Sequence, residues 1–119
     1  MSGPLPGESG WLLLDDDDLV FRIASLPPEH EEDDQLLAVV RSQRHFFVRQ
    51  EAAKRIRDAE RLKPFADDRH IGQILARQMR RTDDVEYLEQ LLLQSRHLEV
   101  RNAAAAQLRL LRASRGEKP

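Results

Sequence analysis

Apolar side chains recur along this chain at intervals of three and four residues, the spacing that places them on one face of an α-helix. The pattern predicts six helices, over residues 19–26, 28–42, 46–61, 71–79, 85–92 and 98–113. No segment shows the strict alternation of apolar and polar residues that is typical of a half-buried strand. We therefore expect an all-α fold of about six helices.

Capping residues and prolines mark several of the predicted helix ends. Pro27 and Pro28 are expected to end the first helix, with Pro28 at the first position of the second. Pro64 predicts a tight connection after the third helix, because the residue before a proline disfavours helical geometry. Candidate N-terminal caps precede three helices: Asp15–Asp18, Asp67 or Asp68, and Asp83 with Glu86 three residues later as a capping box.

The chain contains an internal similarity with an offset of 52 residues. Residues 45–56 align without a gap on residues 97–108, so that a His, a Val-Arg pair, two alanines and a final branched apolar residue recur in the same order. At the same offset, the preceding helix repeats its apolar positions: Leu36, Val39 and Val40 align with Leu88, Leu91 and Leu92. Self-similarity at a fixed period indicates stacked helical repeats.

The repeated element, Val-Arg-x-x-Ala-Ala-x-x-(Leu/Ile) after a leucine-rich helix, resembles the second helix of a HEAT repeat. Val48-Arg49 and Val100-Arg101 begin its two best copies, and the resemblance covers about residues 19–112. It implies either a short HEAT-like helical repeat array or a compact α–α bundle. It also implies that the valines and small residues pack inward. Members of this family mostly act as protein-binding scaffolds, although some are enzymes, so the fold alone does not determine the function.

We predict three regions: a flexible N-terminal arm at residues 1–15, a HEAT-like domain at residues 16–113 and a flexible tail at residues 114–119. Trp11 and the leucines after it either close the N-terminal end of the array or contact a partner. No apolar run approaches the ~20 residues that cross a bilayer, and no positive charge precedes this apolar patch. A cytoplasmic protein without membrane contact is therefore expected.

Charge is distributed unevenly along the chain. Residues 1–35 carry ten acidic residues and one basic residue, whereas the remainder carries eleven acidic and eighteen basic residues. Such asymmetry indicates an interaction region or a contact between the two parts. Sixteen of the nineteen basic residues are arginines, which favour planar contacts with carboxylates or phosphates.

The dipeptide Arg-His occurs three times near predicted helix starts, where exposed N–H groups and the helix dipole attract anions. One hypothesis is a row of these pairs that binds acidic groups. The alternative is that they recur with the repeat and cap their helices locally. The pairs are Arg44-His45, Arg69-His70 and Arg96-His97.

Patterns typical of catalysis or of metal binding are weak. The chain has no cysteine and no glycine-rich phosphate loop, and His30-Glu31-Glu32 is the single place where a histidine stands next to a carboxylate. An iron-binding branch of the HEAT family, deoxyhypusine hydroxylase, uses several such His-Glu pairs. We therefore expect no enzyme activity, no cofactor and no metal.

We predict a non-catalytic adaptor or scaffold that recognises a protein partner through a helical face lined by arginines. The partner is expected to present an acidic or mixed surface, or to be a second copy of the chain. The alternative is a nucleic-acid-binding HEAT-like module with arginine contacts to the phosphate backbone. The acidic net charge and the few aromatic residues count against that alternative. The predicted partner-binding residues are Arg44, His45, Arg49, Arg69, His70, Arg96, His97, Arg101 and Trp11.

Overall fold

The computed structural model describes residues 10–114 of the chain, and every regular element in that range is helical. The prediction of an all-α fold with about six helices is confirmed. The predicted arm and tail fall largely on residues 1–9 and 115–119, outside the described range. The six α-helices are α1 (Asp16–Ala24), α2 (Asp33–Arg41), α3 (Phe46–Arg55), α4 (Arg69–Gln78), α5 (Val85–Gln94) and α6 (Leu98–Ser114), with short 3₁₀ segments at Gly10–Leu13, Ala59–Phe65 and Thr82–Asp84.

Contacts divide the chain into two units, the first ending at Arg61 and the second beginning at Leu62. In the first unit α3 packs against both α1 and α2, and in the second α6 packs against both α4 and α5. The predicted apolar stripes face these contacts. Among the fully or almost fully buried side chains are Leu36, Leu37, Val39 and Val40 of α2, Val48 and Ala52 of α3, Ile71 and Leu75 of α4, and Val100, Ala104 and Leu108 of α6.

The first and third helices of the first unit run parallel. At the start of α3, Arg44 Nη1 lies 2.8 Å from Asp16 Oδ1 at the start of α1. At the other end, Arg55 Nη1 donates to the carbonyl of Ile23 over 3.1 Å, near the end of α1. A short connection joins α2 to α3, and α2 therefore runs in the opposite direction.

The second unit repeats this arrangement. His97 Nε2, at the start of α6, donates to the carbonyl of Asp67 just before α4 over 2.7 Å. Gln107 Nε2 donates to the carbonyl of Met79, just after α4, over 2.9 Å. At the 52-residue offset, α1, α2 and α3 correspond to α4, α5 and α6, and Arg55 corresponds to Gln107. Both side chains bond a carbonyl near the end of the first helix in their unit.

Two predicted helix boundaries are wrong. The second helix begins at Asp33 rather than Pro28, because His30 is buried and its ring closes a turn: Nε2 donates to the carbonyl of Arg55 over 2.7 Å, and Nδ1 accepts from the N–H of Glu32. The third helix ends at Arg55 rather than Arg61. The carboxylate of Asp33 accepts from the N–H groups of Arg57 and Asp58, at 2.9 and 3.0 Å, so these donors are satisfied outside a helix.

The predicted caps of α1 and α4 are confirmed, whereas the predicted capping box is displaced. Asp15 Oδ1 accepts from the N–H of Asp18, and Asp68 Oδ1 accepts from the N–H groups of the second and third residues of α4. Before α5, it is Asp84 rather than Asp83 that turns inward. Its carboxylate accepts from the N–H of Arg81 over 2.9 Å, because a 3₁₀ turn shifts the start of the helix.

Candidate interaction surface

Arg44 and His45 join the starts of the two parallel helices in the first unit. The guanidinium of Arg44 pairs with Asp16 and donates to the carbonyls of Leu12 and Leu14, which leaves its side chain 21% exposed. His45 is the N-cap of α3, and its Nδ1 accepts from the N–H of Phe47 over 3.2 Å. The proton of the neutral ring is therefore on Nε2. This pair has a structural role in the start of α3.

The other two Arg-His pairs lie in the second unit, around the start of α4. Arg96 forms a bidentate, exposed ion pair with Asp67, with N–O distances of 3.0 and 2.8 Å. Arg69 lies 3.9 Å from Glu99 of α6. The N–H of His70 donates to the capping carboxylate of α4. His45 caps its own helix with its side chain, whereas His97 bonds the carbonyl of Asp67 before α4 and His70 contributes its main-chain N–H to the cap of α4.

The arginine of each Val-Arg motif donates to a carbonyl at the end of the preceding helix. Arg49 Nε donates to the carbonyl of Val40 over 2.7 Å, near the end of α2. Arg101 Nη1 donates to the carbonyl of Ser95 over 2.7 Å, just after α5. Carbonyls at a helix C-terminus lack partners within the helix, and a cation satisfies them while offsetting the helix dipole. These two guanidinium groups therefore face their own unit.

Trp11, another predicted partner-binding residue, is largely covered. The 3₁₀ segment Gly10–Leu13 packs against α2, and the indole is 8% exposed. The guanidinium of Arg22 lies 5.7 Å from the ring centroid, a cation–π distance. A partner could reach this ring only if the segment moved.

Exposed aromatic side chains distinguish the first unit. Phe21 of α1 is 71% exposed, and Phe46 and Phe47 of α3 are 44% and 52% exposed. These are three of the four phenylalanines in the chain. Burying a phenylalanine is worth ~1.5–3 kcal/mol, so exposed rings mark places that a partner can cover.

An open cavity of about 440 Å³ lies between α1 and α3 at this surface, and we call it the α1/α3 cleft. Its apolar lining comes from Val20, Phe47 and Val48, and its polar lining from Asp16, Asp17 and His45. Phe21 lies four residues after Asp17 and so faces the same side of α1. The cleft combines apolar walls with an acidic edge.

The corresponding place in the second unit is closed. At the 52-residue offset Val20 becomes Gly72, where a Cβ atom would lie only 2.8 Å from Val100 Cγ2 and 2.7 Å from the carbonyl oxygen of Ala66. The helices α4 and α6 therefore approach to a distance that only glycine permits. At the same offset Asp17 and Phe47 become Arg69 and Glu99, the pair separated by 3.9 Å.

A second cavity of the first unit, of about 350 Å³, lies where the predicted His-Glu pair is found. Both ring nitrogens of His30 already have hydrogen-bond partners. Arg57 donates to the carbonyl of His30, and Arg61 pairs with Asp34 over 2.6 Å. Within residues 10–114, no group of three or more His, Asp or Glu side chains is placed to hold a metal ion. The polar groups of this cavity stabilise the turn before α2.

The apolar lining of the α1/α3 cleft was not among the predicted site residues, although the sequence contains a signal for it. The stripe of α3 that contains Val48 and Ala52 faces the core. Successive helical residues are 100° apart, so Phe46 and Phe47 cannot share that stripe. Two adjacent aromatic residues off the core stripe indicate a surface with another use.

Comparison with protein-family models, with curated proteins and with solved structures gave no match. Among the described residues, none of the helices has both the length and the apolar character that crossing a membrane requires. The function is therefore inferred from the geometry and charge of the chain itself.

Proposed function

We propose that this chain is a small HEAT-like adaptor that binds another protein and has no catalytic machinery of its own. The observation that carries this proposal is the α1/α3 cleft with its exposed phenylalanines. Interface cores are enriched in aromatic residues, and a few such residues provide most of the binding energy. The cavity of about 440 Å³ is large enough to receive an apolar side chain of a partner.

The arrangement of the helices supports the HEAT-like assignment. In each unit the first and third helices run parallel and the second is antiparallel to both, as expected for two neighbouring inner helices of a repeat array with one outer helix. The Val-Arg motif occupies the third helix of each unit, with its valine buried in both. The order of helices and the motif thus agree at one offset.

The contacts of the arginines move the proposed interface away from the predicted arginine face. Arg44, Arg49 and Arg101 donate to carbonyls of their own unit. A partner that used these groups would meet guanidinium groups whose orientation is already set by contacts within their own unit. The candidate phosphate contacts of the nucleic-acid alternative are Arg49, Arg55, Arg101, Arg109 and Arg112, and the first three donate to carbonyls of their own unit, which weakens that alternative. We therefore favour apolar recognition of a protein.

Affinity capture from the native cell, read by quantitative mass spectrometry, tests the adaptor proposal. Three baits are compared: the wild-type chain, the double variant Phe21→Ser with Phe47→Ser, and the control Leu93→Ser, which alters an 81% exposed residue in the second unit. Exposed substitutions usually change stability by less than about 0.5 kcal/mol, so all three baits should fold. We expect the wild-type and control baits to retain proteins that the double variant loses. Identical protein sets on all three baits would contradict the proposal, and salt-sensitive capture of nucleic acid alone would favour the alternative.

A further inference from the structure

The acidic edge of the α1/α3 cleft indicates which kind of partner it accepts. Four consecutive aspartates, Asp15–Asp18, occupy the cap and first turn of α1, and all are exposed. Asp15 caps the helix and Asp16 pairs with Arg44. Neither Asp17 nor Asp18 forms an ion pair with another residue of the described range. Of these two exposed carboxylates, Asp17 lines the cleft beside its apolar residues.

Arg44 neutralises Asp16 at this edge, but its pairing leaves the carboxylate of Asp17 without an ion pair among the described residues. Residues 10–61 contain twelve acidic and eight basic residues. Arg49, Arg55 and Arg57 donate to main-chain carbonyls close to helix ends or to the turn before α2. Arg55 and Arg57 are thus held at the opposite end of the unit from the start of α1, whereas Arg49 is held at the end of α2. The edge near Asp17 therefore presents negative charge to a ligand.

His45 adds a directional donor to the same edge. Its Nδ1 accepts from the N–H of Phe47, so Nε2 carries the proton of the neutral ring. The side chain lines the cleft and is exposed. An imidazole N–H at this position can donate to a carbonyl of a ligand backbone. The cleft thus offers an apolar cavity, a carboxylate and a hydrogen-bond donor within one site.

We propose that the α1/α3 cleft binds a basic amphipathic segment of the partner protein, and this inference rests on the adaptor function proposed above. An apolar side chain of the segment enters between Val20 and Phe47. A lysine or arginine one helical turn away pairs with Asp17. This is the helix-in-groove mode of recognition, in which residues three or four positions apart contact the groove together. An acidic segment is rejected because its charge would meet that of Asp17.

The basic segment proposed here differs from the acidic or mixed surface that an arginine-lined face would bind. It also explains why the corresponding place in the second unit is not a second copy of the site. There, Arg69 and Glu99 lie close together where the first unit has the carboxylate and the ring of the cleft. One chain therefore carries one site of this kind within its described residues.

Selection from a phage-displayed library of random peptides of about 16 residues, roughly four helical turns, tests the inference with the full chain as target. We expect the selected peptides to place lysine or arginine three or four positions from leucine, phenylalanine or tryptophan. The affinity of a selected peptide is then measured by fluorescence anisotropy. Phe47→Ser should weaken binding at least about 10-fold, as for a residue at the centre of an interface. Leu93→Ser should leave it unchanged.

A charge exchange tests the pairing directly. Asp17→Lys should weaken the basic peptide about 3- to 10-fold at low salt and reduce the salt dependence of its binding. A peptide with the pairing lysine changed to glutamate should bind Asp17→Lys more tightly than it binds the wild-type chain. Asp17→Asn provides an uncharged variant of similar shape, and its affinity for the basic peptide should lie between those of the wild-type chain and Asp17→Lys.

The outcomes separate this inference from the adaptor function. Selected peptides without a basic preference, or binding that ignores Phe47, would overturn the inference. An empty selection combined with phenylalanine-dependent capture of a cellular protein would overturn the basic segment and leave the adaptor function standing. Selection of basic peptides without any capture of a cellular protein would contradict the adaptor function and leave the binding of basic segments standing. A Phe47-dependent dimer in sedimentation velocity would show that a second copy is the occupant, which also overturns the inference.

Discussion

Replacing Gly72 with alanine tests whether α4 and α6 approach so closely that no side chain fits at residue 72. Gly72 lies inside α4, where the only change is the addition of one methyl group. That carbon would lie 2.7 Å from the carbonyl oxygen of Ala66 and 2.8 Å from Val100 Cγ2. Comfortable contacts between carbon atoms are about 3.5–4.0 Å. The backbone of Ala66 and the side chain of Val100 would therefore both have to move by roughly 0.7 Å.

Two opposing effects determine the change in the free energy of unfolding. Adding a methylene-sized group to a packed site costs about 1–3 kcal/mol, and a clash with backbone places this site in the upper part of that range. Glycine in a helix interior is about 1 kcal/mol less favourable than alanine, so the substitution recovers that amount. The sum predicts that Gly72→Ala destabilises the protein by about 1–2 kcal/mol.

Urea unfolding followed by far-ultraviolet circular dichroism measures this change. Ala106→Gly, at an exposed position of α6, provides the matched control because it reports the glycine–alanine difference without a close contact. The control should lose about 1 kcal/mol. If helix propensity alone mattered at residue 72, Gly72→Ala would gain the amount that the control loses. A gain of that size would refute the close approach of α4 and α6.

Two further substitutions test the contacts that fix helix ends. Asp68→Ala removes the cap of α4 and should lower the free energy of unfolding by about 1 kcal/mol at any ionic strength. Asp67→Ala removes the exposed ion pair to Arg96 and should lower it by less than about 1 kcal/mol, with a loss that decreases as salt is added. Equal losses that do not depend on salt, measured in urea titrations, would contradict this difference between the two variants. Arg55→Lys should lower the unfolding free energy by about 1–3 kcal/mol, because an ammonium group cannot reproduce the guanidinium contacts with three carbonyls near the end of α1. Arg41→Lys, at an exposed position of α2, should be neutral, and a similar loss in both variants would contradict the role of Arg55.

The helices and much of the core could be predicted from the sequence because their signals are local. The spacing of Leu36, Leu37, Val39 and Val40 identifies the buried face of α2, and the structure buries all four. The caps at Asp15 and Asp68 lie within three residues of the N–H groups that they satisfy. A period of 3.6 residues and a nearby carboxylate can both be read without knowledge of the rest of the fold.

The wrong boundaries lie where distant residues determine the backbone. The apolar pattern continues beyond Arg55, but Asp33, 24 and 25 residues earlier, accepts the N–H groups of Arg57 and Asp58. The buried ring of His30 reaches the carbonyl of Arg55 across 25 residues. Neither contact can be read from spacing, because the sequence does not state which turn meets which helix end. The sequence alone therefore does not predict the turn before α2.

The candidate site could be predicted only in part, for a related reason. Arginines at repeated positions indicated a binding face, yet Arg49 and Arg101 each bond a carbonyl near the end of the preceding helix. The arginine that recurs at the 52-residue offset joins helix ends in both units. The aromatic residues of the α1/α3 cleft do not repeat, and a search for recurring patterns passes over them.

Comparing the two units at the 52-residue offset contrasts residues that hold the helices together with residues at the α1/α3 cleft. Positions that keep their chemistry at the 52-residue offset, such as Val48 with Val100 and Arg49 with Arg101, hold the third helix in place in both units. At the α1/α3 cleft the chemistry differs between the units: valine, aspartate and phenylalanine of the first unit stand against glycine, arginine and glutamate of the second. The open cavity beside Val20 and the close contact at the corresponding Gly72 make the cleft of the first unit the place to look for a partner.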